Sequence, residues 1–243
     1  MEQLIGSQGQ SENGAASAGK IAVWDLPLRL FHWVLAATVI TGIAAALLGN
    51  LDLHVRCGQI ALALLLFRII WGFVGPEHAR FRNFVRGPGA IVAYVRSMLR
   101  PPHHFHAGHN PLGALVVILM LALLLVQALS GLFANNDIAT EGPLARFVSK
   151  ATSDALTGLH DRNGWLIIGL IALHIGAVVG YLLRFRDNLI RPMITGAKSL
   201  PAGERATAIS GNRLGLALVV LALCALVAWL VFAAPRWIAP LPF

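Results

Sequence analysis

Charge and cysteine are both scarce in this chain. Asp, Glu, Lys and Arg make up only 12% of its 243 residues against 57% apolar ones, and mean hydropathy is +0.71. A water-soluble core of this length does not need such a balance, so an integral membrane protein is expected. Two cysteines, Cys57 and Cys224, are too few for a disulfide framework. They fall at different depths of their hydrophobic segments, so they read as small buried residues and not as a bridged pair. No C-x-x-C-H occurs, which excludes haem attached through thioethers. Period-two alternation is missing as well, which argues against a transmembrane barrel. The first twenty residues, MEQLIGSQGQSENGAASAGK, lack the basic start and apolar block of a cleavable signal peptide and read as a disordered cytoplasmic tail.

What the chain has is hydrophobic length. Runs at about 30 to 48, 53 to 75, 111 to 134, 163 to 183 and 214 to 234 each approach the roughly twenty residues a bilayer requires. The expected fold is therefore all-α and transmembrane, with five spans. Basic residues set the orientation. Thirteen of the nineteen lie on one side: Lys20, Arg29, Arg80, Arg82, Arg86, Arg96, Arg100, Arg184, Arg186, Arg191, Lys198, Arg205 and Arg213. Arg146, Lys150, Arg162 and Arg236 lie on the other, and Arg56 and Arg68 fall inside the second span. The N-terminus is thus expected in the cytoplasm and the C-terminus outside. This asymmetry, with its attraction to anionic lipid headgroups, accounts for the net charge of +8 and leaves a nucleic-acid partner without support.

Four histidines then acquire depths. His160 and His174 are fourteen residues apart, which returns a helix to nearly the same face after about 21 Å. His32 opens the first span near the inner surface and His54 opens the second near the outer one, so His54 matches His160 and His32 matches His174. Ionisable residues within spans are rare and usually functional. Two imidazoles on opposite faces of one porphyrin leave iron no open position, which suits electron transfer. A proton relay or a cation path also fits the pattern, and a single His near a helix end can be an interfacial residue. The residues alone leave these readings open.

The stretches VWDLPLRLFHW, LFRIIWGFVGPEHARF, GHNPLG, GLFANNDIATEGPLARFVS, LHDRNGWLIIGLIALH and LIRPMITGAK resemble the bacterial cytochrome b561 family. The resemblance is closest to the branch holding the b-type cytochrome subunits of nickel-iron hydrogenases, and it covers about residues 21 to 200. It implies a four-helix bundle holding two haem b groups, ligated by His54 with His160 and His32 with His174. The fifth helix, in a C-terminal unit at 201 to 243, matches the hydrogenase-subunit layout. It further implies a multi-pass protein of the bacterial inner membrane, passing electrons between a periplasmic redox partner, a c-type cytochrome or enzyme subunit, and the quinone pool. A stand-alone oxidoreductase using a small diffusible substrate such as superoxide is the variant of that chemistry; a histidine-based cation or proton transporter is the rival from another class.

Other residues fit around this frame. Arg pairs with carboxylates in two contacts, so Arg56 is a candidate partner for an outer haem propionate, and Arg68 for the inner haem or a quinone headgroup. GHNPLG resembles the region lining the inner quinone site of formate dehydrogenase cytochrome subunits, which makes Asn110 and Gly113 quinone candidates, with His109 as a proton carrier. Asn110 before Pro111 is equally a good helix start. His103, His104 and His106 lie in a Pro-rich loop and read as solvated. Gly42, Gly58, Gly131, Gly169 and Gly176 read as helix-packing positions. The loop at 135 to 163, with Asp137, Glu141, Asp154 and Asp161, offers a docking face for the periplasmic partner. The segment at 84 to 100 reads as an interfacial helix.

Overall fold

The computed structural model describes residues 19–98, 107–138, 140–200 and 206–238. Most of the expected tail, the His103, His104 and His106 cluster, and residues 99 and 100 of the expected interfacial segment lie outside the described residues. Eight helices follow in chain order: α1 (Leu26–Leu47), α2 (Leu51–Val74), α3 (Phe81–Phe84), α4 (Pro88–Ser97), α5 (Pro111–Gly131), α6 (Lys150–Arg184), α7 (Ile190–Thr195) and α8 (Leu214–Ala233). Helices α1, α2, α5, α6 and α8 are long and apolar enough to cross a membrane, so the protein is an all-α, multi-pass membrane protein. Large apolar side chains such as Leu47, Leu183 and Leu218 stand on the outside, as expected of a surface solvated by lipid.

Helix α2 is the central element. It packs on α1, α5 and α8, while α5 pairs with α6. Its Leu65, Phe67 and Trp71 are buried among Leu28, Phe31 and Leu35 of α1 and Val220 and Cys224 of α8. The Trp71 ring stacks on Phe67 at 5.4 Å. Both cysteines are free and buried, as the sequence implied. Helix starts carry their own caps. Asp25, Asn50, Asn110 and Ser149 each accept a hydrogen bond from a backbone N–H in the first turn they precede, satisfying a donor that would otherwise be orphaned. Asp25 is 1% exposed, and its Oδ1 also accepts from Trp71 Nε1 at 3.1 Å, which locks the start of α1 against the end of α2.

Three features differ from expectation. Helix α6 begins at Lys150, thirteen residues before the hydrophobic run, because KATSDALTGLHDR is polar yet unbroken by Pro and capped by Ser149. The polar loop therefore shrinks, and Asp154 and Asp161 stand on the helix. Within the described part of the interfacial segment only Pro88–Ser97 is helical, as α4, and the short α3 ends where the segment begins. Lys20, expected in the tail, instead opens β1 (Lys20–Ala22), which pairs antiparallel with β2 (Ala197–Ser199), Lys20 opposite Ser199.

That ribbon belongs to a stitched cap over the basic end. Gly196 O accepts from Val23 N at 2.8 Å and Trp24 N at 3.1 Å. Gly196 has φ +83, and a Cβ there would stand 2.9 Å from Trp24 O, so only glycine suits the turn. Trp33 Nε1 donates to Met193 O, Arg29 to Ile194 O, Leu26 N to Asn212 Oδ1 and His78 Nε2 to Thr207 O.

Candidate functional site

Between α1 and α2 on one side and α5 and α6 on the other lies a cavity of about 680 Å³, at the end opposite the cap. His54 and His160 line it together with Gly42, Gly58, Gly131 and Gly164. Their ring centres are 5.8 Å apart with planes at 87°. His54 is the fourth residue of α2, and its Nδ1 lies 2.9 Å from Gly42 O on α1. That approach depends on small residues: a Cβ on Gly42 would stand 3.1 Å from Cys57 Cβ. His160 Nδ1 lies 3.0 Å from Gln127 O on α5 and 3.4 Å from Ser130 Oγ. A Cβ on Gly131 would stand 2.8 Å from His160 Cε1, so the imidazole rests where only glycine gives room.

A carbonyl oxygen only accepts, so each Nδ1 carries a proton, which leaves Nε2 as the nitrogen available to a metal. Such second bonds fix the tautomer and orientation of metal-binding histidines. Two imidazoles bonding one metal from opposite sides, at about 2 Å each, have ring centres about 6 Å apart, and the observed separation meets that condition. Among the described residues no three His, Cys, Asp or Glu gather as a metal cluster. Two imidazole nitrogens would suit an iron whose other ligands a macrocycle supplies.

Toward the basic end, His174 stands fourteen residues after His160 on the unbroken α6. His32 and His174 interact electrostatically across the bundle. Among the described residues the buried Nδ1 of His32 has no hydrogen-bond partner. Arg68, fourteen residues after His54 on α2, is 2% exposed; its Nη1 and Nη2 likewise lack partners among those residues, and its guanidinium lies 4.7 Å over the Phe81 ring. Asp25 lies within electrostatic reach of it, but is hydrogen-bonded elsewhere. Arg56 is exposed and does not line the cavity, because residues two apart on a helix point to different faces.

The quinone candidates part company. Asn110 Oδ1 accepts from Gly113 N at 2.7 Å, an N-cap, while its Nδ2 donates to Tyr181 Oη at 3.2 Å. His109 packs between Trp24 and Phe84, 4.6 Å from each ring. Burial first, and then the charge of Arg68, push its imidazole down to about 3. An unfolded chain protonates this group near 6.5, and the fold refuses that proton. The stability His109 contributes above that pH is therefore lost as the pH falls toward the folded value. With His109→Gln, the decline in unfolding stability between about pH 7.5 and about pH 5 should be shallower by about 1–2 kcal/mol. Equal slopes in a denaturant titration at the two pH values would refute the buried neutral imidazole.

Residues 23–196 match the family described as prokaryotic cytochrome b561. The chain belongs to that family. As a b-type cytochrome of the membrane, it is a haem b protein of electron transfer. It is 27% identical over 212 residues to a probable Ni/Fe-hydrogenase B-type cytochrome subunit of Rhizobium leguminosarum bv. viciae, covering 73% of this chain and 88% of the relative. To the subunit of the same description in Azotobacter vinelandii it is 24% identical over 218 residues, covering 72% and 87%. The probable Ni/Fe-hydrogenase 1 B-type cytochrome subunit of Escherichia coli (strain K12) is 21% identical over 217 residues, with 75% and 92% covered. No solved structure matches significantly.

Sequence reasoning missed the cytochrome's supporting polar residues. Gln127 and Ser130 are the polar positions of LALLLVQALSG, and both meet His160. Asn163, one turn beyond His160 and 3% exposed, donates to Gln127 Oε1 at 2.7 Å and to Leu123 O at 2.9 Å, tying α6 to α5 beside the imidazole. Polar side chains in otherwise apolar spans were the available signal.

Proposed function

We propose that this chain holds two haem b groups, one between His54 and His160 and one between His32 and His174, and passes electrons across the bacterial inner membrane. The observation that carries this reading is the facing pair at 5.8 Å, with both Nδ1 atoms tied to backbone carbonyls. Haem b supplies a one-electron iron couple. The chain's own residues hold, orient and insulate it. Gly42 O and Gln127 O keep each Nε2 free as a ligand, Gly131 makes room for the His160 ring, and the apolar walls exclude water, so little solvent reorganises as charge arrives.

The relatives' names support a redox enzyme of the hydrogenase kind as the partner, docked at the end carrying His54 and His160; a c-type cytochrome is the alternative partner for the same face. The membrane quinone pool is the second partner. It would be met at the basic end, where Arg68 offers an unpartnered buried guanidinium and His109 a neutral imidazole. The ligation test is a pyridine haemochrome assay with a reduced-minus-oxidised spectrum of the purified protein. Two haem b per polypeptide, with low-spin bands, is the expected result. One would overturn a pair, and none would overturn the reading.

A further inference from the structure

A second cavity, of about 560 Å³, opens at the basic end where α6 leaves its span, and none of the four paired histidines lines it. The amphipathic α4 forms one wall, and the segment from Phe185 to Ser199 forms the other. Lys20, Arg186, Arg191 and Lys198 all line it. The only carboxylate in the lining, Asp187, already bonds Lys198 at 3.0 Å. Among the described residues no carboxylate pairs with Lys20, Arg186 or Arg191. Three cations thus converge on one pocket in which Asp187 is the one carboxylate among the described residues.

The floor adds uncharged donors. Tyr94 Oη and Tyr181 Oη are 3.0 Å apart, and Asn110 Nδ2 reaches Tyr181 Oη from the start of α5. Burial, then the hydrogen bond to Tyr181, hold the Tyr94 phenol well above its ordinary range, so it keeps its proton and can donate. Met98, Leu189 and Pro192 supply an apolar side to the same cavity. Cations and hydroxyl donors beside an apolar wall, at the end of a spanning helix, match a ligand that is anionic at its head and apolar at its tail. Basic pockets between spanning helices on the cytoplasmic side suit phosphate-bearing lipid heads.

We infer that this pocket is a binding site for the phosphate headgroup of an anionic phospholipid of the inner leaflet. Phosphate is the shared chemistry of a lipid head and a free anion; the apolar wall favours the lipid. The site is independent of haem ligation, so haem absorbance reports separately on the rest of the protein.

The test uses the full-length, haem-loaded protein in detergent. Native mass spectrometry reads retained lipid, and thermal unfolding reads stabilisation by added phosphatidylglycerol, phosphatidylcholine or millimolar inorganic phosphate. The wild-type chain should retain phosphatidylglycerol in preference to phosphatidylcholine. The double variant Arg186→Gln with Arg191→Gln should retain it at least about tenfold less, at unchanged haem absorbance. Arg146→Gln with Arg162→Gln, an equal loss of charge at the opposite end, should behave as wild type. Undiminished retention in the first variant would overturn the site. Stabilisation by inorganic phosphate as large as that by phosphatidylglycerol would overturn the lipid. Should the double variant lose haem absorbance, Lys20→Gln with Tyr94→Phe probes the rest of the lining, and wild-type retention there would also overturn the site.

Discussion

His160→Ala should purify with one haem b per polypeptide where the parent chain carries two, and the signal it loses should be the one that His54→Ala also loses. In the proposed ligation each imidazole is half of one pair, its Nδ1 beside a carbonyl on a neighbouring helix and its ring 5.8 Å from the other's. Removing either would take away one of the two nitrogens proposed to hold the haem, and an alanine offers none in its place. The double variant should therefore lose no more haem than either single one, the non-additive outcome expected of residues acting as a unit. His174→Ala should remove the other signal, because His174 stands about 21 Å further along the same helix. Full haem content in His160→Ala would sink the pairing. Loss of both haems in His54→Ala at intact secondary structure would show that the two sites are not separable.

Gly131→Val tests the same site without touching a ligand. A Cβ at this position would meet His160 Cε1 at 2.8 Å and Nδ1 at 3.1 Å, closer than real Cβ contacts run. Valine adds two methyl groups at the end of α5, so the ring must swing away from Gln127 O. The expected outcome is loss of the signal that His160→Ala loses, with the other retained. Gly169→Ala supplies the control: it lies on α6 between His160 and His174, and nothing lies within 4 Å of its added Cβ. Alanine there should raise helix stability by about 0.5–1 kcal/mol and leave the spectrum unchanged. Equal spectra for Gly131→Val and the parent would show that the imidazole does not need its observed position.

Sequence made the spans legible because lipid imposes one strong requirement, a continuous apolar length, and all five spans obey it. The pairing of His54 with His160 was legible for a related reason: helix periodicity and alternating direction fix depth. Helix starts inside polar sequence were not. The first three turns of α6 carry no hydropathy signal, since their helicity comes from capping and from residues that tolerate the conformation. Backbone acceptors were also out of sight. Gly42 O and Gln127 O act through positions that any residue supplies, and only the packing of α1 on α2 and α5 on α6 reveals them. The β1 and β2 pairing joins three residues to three others across four spans, too short and too distant for a local pattern. Asn110 carries a role its motif did not show: its oxygen caps α5 and its amide donates to Tyr181.

Arg68 would give two haems held as proposed unequal electron affinities. It stands at the depth of His32 and His174 by the same fourteen-residue step that separates His160 from His174. A guanidinium 2% exposed, with Asp25 opposing its charge but bonded to Leu28 and Trp71, raises the local positive potential where no water screens it. A haem held there, as proposed, would take up an electron more readily than one held at His160, whose helix runs on for ten polar-rich residues toward water and carries Asp161 next to that histidine. Exposure and nearby charge are among the levers that set such potentials. With haems held at both pairs as proposed, electrons entering near His54 and His160 would run downhill toward the basic end.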